Sequence, residues 1–267
     1  MSRIHNTFVE LKHSGRGGFI PFITTGDPDL VTTELLLLEL AAAGADIIEL
    51  GVPFSDPVAD GEVIQRASER ALRKGVTLSD ALRCISNVKE HIEVPIVLFS
   101  YFNPLLKFGK DRLADEAKQA GVDAVLITDL ISEEAGPWIT AFRDYGIDLI
   151  FLVAPTTSDE RLRRVAQQTS GFIYAVSRAG VTGARNEIPR DAEPLVKRVR
   201  AVSDLPVAVG FGISTAEQVR QVWRFADAAV IGSAIVRQVE KLSGSPDLTA
   251  RVGEFAQSFL EPRPVGQ

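Results

Sequence analysis

The sequence predicts an α/β fold, a single barrel of eight parallel strand–helix units. Three observations carry that expectation. Eight short apolar runs recur along the 267 residues, with a mean spacing of about thirty residues, the size of one βαβ unit. The runs are apolar almost throughout rather than alternating, as parallel strands covered on both faces should be. Helix start and stop signals fill the intervals between them. Eight such strands in about 250 residues match the (β/α)8, or TIM, barrel. A doubly wound sheet would use fewer strands and open on a glycine fingerprint loop, and this sequence has none near its start.

The elements follow in order. Residues 1–17 form an N-terminal helix that caps the barrel, ahead of a first strand over 19–24. The next strands fall at 47–51, 96–101, 124–128, 149–153, 172–176, 207–211 and 228–231. Apolar faces at helical spacing predict helices over 34–43, 79–88 and 248–260. Thr157-x-x-Glu160 and Ser214-x-x-Glu217 read as capping boxes, in which hydroxyl and carboxylate satisfy orphan amides. Gly44, Gly75, Gly121 and Gly146 stand where helices should end. Residues 244–247 read as a connector and 261–267 as a frayed tail. No linker, low-complexity tract or long charge block interrupts the chain, so residues 1–267 are expected to form one domain.

Composition narrows the function. Lys and Arg number 29 against 35 Asp and Glu, a net charge of −6, which argues against a nucleic-acid or anionic-membrane partner. The lone Cys84 excludes a disulfide framework and a cysteine-rich metal cluster. No uncharged run approaches the ~18 residues of a membrane span, and the N-terminal residues lack the apolar core of a secretory signal. The cytoplasm is the expected compartment.

In a barrel of this kind the site lies at the C-terminal ends of the strands. The second strand ends in Ile48-Glu49-Leu50-Gly51. A carboxylate inside an apolar strand is costly to bury unless something pairs with it or uses it. Two readings stand: a strand-end salt bridge, or a general acid/base whose burial raises its pKa. The following loop, Val52-Pro53-Phe54-Ser55-Asp56-Pro57-Val58-Ala59-Asp60-Gly61, carries two more carboxylates. Asp56 beside Pro57 suits a turn or the surface, and Asp60 either caps the next helix or joins Glu49 in a pocket. Later strand ends point to phosphate. Gly210-Phe211-Gly212 and Gly232-Ser233 let backbone amides approach an anion, and Ser233 could open a helix whose N-terminus favours negative charge. Gly180 and Gly183 flank Thr182 like hinges of a lid.

Other chemistries lack their residues. No expected strand ends in the lysine of a Schiff-base aldolase; Lys107 and Lys110 lie well into a loop. His5, His13 and His91 fall away from strand ends, so neither a metal aldolase nor a serine–histidine hydrolase finds its ligands or base. Cys84, Trp138 and Trp223 read as packing residues on outer helices. Proton transfer on a phosphorylated small molecule is what remains.

The strand-two block through Gly61 resembles the signature of the tryptophan synthase alpha chain family. The likeness extends to Phe19-Ile20-Pro21-Phe22-Ile23-Thr24-Thr25-Gly26-Asp27-Pro28, to Ser177-Arg178-Ala179-Gly180-Val181-Thr182-Gly183, and to the glycine blocks after strands seven and eight. The resemblance implies retro-aldol cleavage of indole-3-glycerol phosphate to indole and glyceraldehyde 3-phosphate, with no metal or cofactor in this chain. It implies Glu49 as the acid/base at indole C3 and Asp60 as the partner of the indole N–H, with Thr182 as the lid residue meeting Asp60. Gly183, Gly212, Gly232 and Ser233 would cradle phosphate, and Phe22, Phe99, Tyr101, Tyr174 and Phe211 would line the indole pocket. Phe99 and Phe102 depart from the usual family pattern, and an aromatic at 99 narrows the pocket. The resemblance further implies a pyridoxal-phosphate beta chain in an αββα assembly, met by the loop 53–60 and the segment 103–106, with Asp56, Asn103 and Pro104 facing it. Its competitors are a self-sufficient lyase releasing free indole, a barrel isomerase or synthase acting on another phosphorylated metabolite, and a silent activator subunit.

Overall fold

The computed structural model describes residues 2–176, 189–210 and 212–260. Helix α1 (Arg3–Ser14) leads into β1 (Gly18–Thr24), α2 (Leu30–Ala42), β2 (Ile48–Gly51), α3 (Glu62–Arg73), α4 (Leu78–Val88) and β3 (Ile96–Ser100). Then come α5 (Phe102–Phe108), α6 (Lys110–Ala120), β4 (Ala124–Ile127), α7 (Gly136–Asp144), β5 (Asp148–Ile150), β6 (Leu152–Val153), α8 (Asp159–Gln168) and β7 (Ile173–Val176). The chain continues through α9 (Ala192–Arg200), β8 (Val207–Gly210), α10 (Ala216–Val222), β9 (Ala228–Ile231), α11 (Ser233–Leu242) and α12 (Leu248–Gln257).

All pairings are parallel, in the order β5-β4-β3-β2-β1-β9-β8-β7-β6. The two ends of that order are neighbours in sequence. The expected strand 149–153 divides at Phe151: its first half pairs with β4, its second with β7, and the Phe151 carbonyl accepts from the Tyr174 N–H at 3.0 Å. The division is a change of hydrogen-bond partner, not of direction, because side chains alternate through it. Leu149, Phe151 and Val153 face the helices while Ile150 and Leu152 face the barrel interior.

Two apolar layers result. Outside the sheet, Phe19, Ile23, Ile48, Leu50 and Leu98 pack against the helix ring. Inside, Ile20, Ile47, Val97, Leu126, Ile150, Phe172 and Ala208 fill the lower barrel, and Ile4, Phe8 and Leu11 of α1 plug its base. Burial on both faces explains the unbroken apolar runs, at about 25 cal/mol per Å² of apolar surface removed from water. Filling the lower half leaves the strand C-termini as the open end.

The helix signals hold with a shift at two starts. Gly44, Gly75, Gly121 and Gly146 all take positive φ after helices. Ser158, not Thr157, caps α8, because the Thr157 hydroxyl is turned to the Ala154 N–H at 2.9 Å. The box at α10 is Thr215 with Gln218 rather than Ser214 with Glu217. Adjacent hydroxyls make such starts ambiguous by one residue. Helix α2 begins at Leu30, earlier than expected, because Asp29 caps it. Lys107 and Lys110 lie in α5 and α6 rather than in a loop. Cys84 is fully buried, Trp138 packs edge-on to Phe102 at 5.3 Å, and Trp223 donates to the Gly18 carbonyl at 2.9 Å. Among the described residues no helix is long and apolar enough to cross a membrane.

Candidate active site

The open end holds a cavity of about 520 Å³. Parallel register fixes what faces it. Phe22 sits opposite Glu49 and Glu49 opposite Val97, so alternate positions of β1, β2 and β3 point inward. Phe22, Glu49 and Phe99 line it together with Asp60, Gly61, Ile64, Tyr174, Gly210, Gly212, Gly232 and Ser233. Two glycines are required by close approach. A Cβ at Gly51 would stand 2.5 Å from the Phe22 ring, and one at Gly210 would stand 2.3 Å from the Tyr174 hydroxyl. Phe22 in turn meets Phe99 edge-on at 5.2 Å.

Glu49 is 1% exposed, and neither carboxylate oxygen has a hydrogen-bond partner among the described residues. Burial pushes its pKa up to about 8. Among the described residues no cation meets it, so the strand-end salt bridge finds no partner there. A group with this pKa is protonated at neutral pH yet can release its proton, as a general acid must.

Asp60 differs. It does not cap α3: Gly61 is the cap residue, and no side chain bonds there. Its backbone carbonyl instead accepts from Gln65 Nε2 at 2.8 Å. Burial raises its pKa to about 6 while the Tyr101 hydroxyl, which donates to it, opposes the rise. At neutral pH Asp60 is ionised where Glu49 is not. Two carboxyls whose environments separate their pKa values are suited to acid and charge-balancing roles.

The remaining expected residues fall in several places. Phe22, Phe99 and Tyr174 line the cavity. Tyr101 stands behind the cavity wall, its ring stacked 5.0 Å from Phe54 and its hydroxyl accepting from the Ala59 N–H at 2.9 Å while it donates to Asp60. It thus braces the loop that carries Asp60. Gly232 and Ser233 begin α11, where no side chain caps the free amides. Phe102 packs on Trp138, away from the cavity. Asp56 and Asn103 are exposed and Pro104 is half-buried at the rim. Thr182, Gly183 and Phe211 lie outside the described residues. Sequence reasoning missed Ile64, Thr128, Leu152 and Thr157 as lining residues. Ile64 on α3 and Thr157 ahead of α8 reach the cavity through tertiary packing that no residue pattern marks.

The parallel barrel and its pair of carboxyls define the class: a (β/α)8 barrel with two buried carboxyls in a cavity at the strand ends. Comparison with known proteins supplies the particular family. The chain belongs to the tryptophan synthase alpha chain family, whose profile matches residues 8–261. A tryptophan synthase alpha chain from Citrifermentans bemidjiense is 51% identical over 261 residues, covering 98% of this chain and 97% of that relative. The solved tryptophan synthase subunit alpha of Legionella pneumophila superposes with a TM-score of 0.90 at 36% identity, covering 97% of both chains. A solved tryptophan synthase complex from Pyrococcus furiosus contains a chain that matches with a TM-score of 0.84 at 38% identity, covering 91% of this chain and 98% of that one.

Proposed function

We propose that this chain cleaves indole-3-glycerol phosphate to indole and glyceraldehyde 3-phosphate in tryptophan biosynthesis. The observation that carries the reading is Glu49: a buried carboxyl with no hydrogen-bond partner among the described residues, held protonated at neutral pH inside the cavity. Glu49 gives its proton to indole C3, and Asp60 accepts the indole N–H and balances the positive charge that grows on the ring. The carbon–carbon bond to the glycerol arm then breaks, and its electron pair returns to the ring. The adjacent hydroxyl gives up its proton to Glu49 as it becomes the aldehyde. The carboxyl ends as it began. Phe22, Phe99 and Tyr174 supply the apolar and aromatic walls an indole ring needs.

The uncapped start of α11 at Gly232 and Ser233 supports phosphate binding in the same cavity, which Gly212 also lines. Gly212 has φ +55, and among the described residues nothing would crowd a Cβ there. Gly212→Asp brings backbone strain and a negative charge to that place. The expected result is a KM for the phosphorylated substrate at least about tenfold higher, with kcat less affected; an unchanged KM locates the phosphate elsewhere.

A beta chain carrying pyridoxal phosphate is the expected partner, in an αββα assembly that receives the indole in the cytoplasm. Val58 is 87% exposed on the loop after β2 and Leu106 56% exposed on α5, the apolar surface such a partner would cover. The deciding experiment is steady-state indole release by the chain alone and with a cognate beta chain. We expect release that rises at least about tenfold on adding the partner, equivalent to about 1.4 kcal/mol of barrier. Release without activation favours the self-sufficient lyase. No release in either state removes the reading.

A further inference from the structure

Away from the cavity lining, five charged side chains join three elements. Arg70 of α3 holds Asp27, on the loop after β1, through Nε–Oδ1 at 2.7 Å and Nη2–Oδ2 at 2.8 Å. Its third arm, Nη1, donates to Glu240 Oε1 of α11 at 2.7 Å. Arg66, one turn back along α3, donates to both oxygens of Glu240 at 2.8 Å. Lys74, just past the end of α3, donates to the Pro28 carbonyl. The Asp27 side chain is 3% exposed and that of Arg70 25%.

Such a cluster is an expensive way to stabilise a fold, because desolvating the ions offsets much of their attraction. What it supplies is direction. Helix α3 starts two residues after Asp60 and its cap Gly61 lines the cavity; α11 starts at Ser233, at the proposed phosphate site. At 1.5 Å per residue, Arg70 lies about 13 Å along α3 from Gly61 and Glu240 about 10 Å along α11 from Ser233. At the cavity end the same helices pack apolar groups together. Phe22, Ala67 and Val236 cluster with Ile64, and a Cβ at Gly232 would lie 3.7 Å from both Ile64 and Phe22. Apolar contact is non-directional and tolerates sliding. A bidentate guanidinium–carboxylate pair does not.

We infer that Arg70, through Asp27 and Glu240, is a positioning residue for the reaction proposed above: it sets the register of α3 on α11 and thereby the distance from Asp60 to the phosphate end at Gly232 and Ser233. The Arg66 and Arg70 hydrogen bonds hold the Glu240 carboxyl down near 2, so the tie persists over the whole working pH range. A substrate gripped at both ends reacts only if that distance is right, and small misplacements cost turnover more than binding.

The test compares Arg70→Met, Arg70→Lys and Glu240→Gln with the parent in complex with a cognate beta chain, using indole-3-glycerol phosphate and well below each variant's Tm. The inference expects kcat of Arg70→Met to fall at least about tenfold with KM within about threefold, and Arg70→Lys to recover part of the loss. Glu240→Gln, which leaves the Asp27–Arg70 pair in place and folds even if Arg70→Met does not, should lower kcat about threefold at constant KM. Variants that lose Tm but keep the parent's kcat show a structural tie only and overturn the inference. A parent that releases no indole takes down the proposed function and this inference together, an outcome distinct from an active parent with active Arg70 and Glu240 variants.

Discussion

Glu49→Gln is expected to lower indole release by about 10²–10⁴-fold while leaving substrate affinity within a few-fold. The amide keeps the size of the side chain and its place on β2 but neither gives a proton to C3 nor takes one from the hydroxyl. With Glu49 titrating near 8, kcat/KM of the parent should decline above that pH as the acid form disappears. Stability should show the same residue from the other side. Glu49 ionises near 4.5 when unfolded and near 8 when folded, so the folded chain holds the extra proton between those values. Parent stability therefore falls as pH rises from about 4.5 to about 8, by about 1.4 kcal/mol for each pKa unit as an upper bound. Gln cannot ionise, so the variant should match the parent near pH 4 and exceed it in denaturant midpoint at pH 8. Turnover within a few-fold of the parent would remove Glu49 from the mechanism. Equal midpoints at pH 8 would place its titration lower.

Asp60→Asn should cost about 10²–10³-fold in kcat, because a neutral amide cannot balance charge at the ring nitrogen. The parent's kcat/KM should fall on the acid side near pH 6, where Asp60 takes up its proton. Asp60 also has a raised folded pKa, so its ionisation removes stability as pH climbs from about 3.8 to about 6. Relief of that cost should leave the Asn variant no less stable than the parent at pH 7. A variant with parental turnover but a lower Tm would make Asp60 a residue of loop structure, held by Tyr101.

The barrel was legible in the sequence because both faces of each strand are covered, which turns the strands into apolar runs that polar helices separate. Glu49 was legible for the same reason: it is the one carboxylate in β2, and nothing in an apolar strand hides it. Asp60 was legible as a candidate but not as a choice between cap and site, since that depends on whether the side chain turns back to α3 or in toward the cavity. Tyr101 was expected on the pocket wall; its position behind Asp60 follows from Phe54 stacking against it, a contact between two loops. The Asp27–Arg70–Glu240 cluster was not legible at all. Its members lie 43 and 170 positions apart in the chain, and each alone looks like a solvated charge.

The division of one strand at Phe151 bears on where this chain could be cut and rejoined. Ile150 and Leu152 end the two arcs of the sheet, so the ring is sealed there by covalent backbone rather than by a ladder between separate strands. New termini at Phe151 would convert a seamless ring into an open ribbon with two bare margins, each able to recruit another molecule. New termini in the connector at 244–247, between α11 and α12, would leave the ring sealed. A circular permutant opened at the connector should stay monodisperse, and one opened at Phe151 should polymerise.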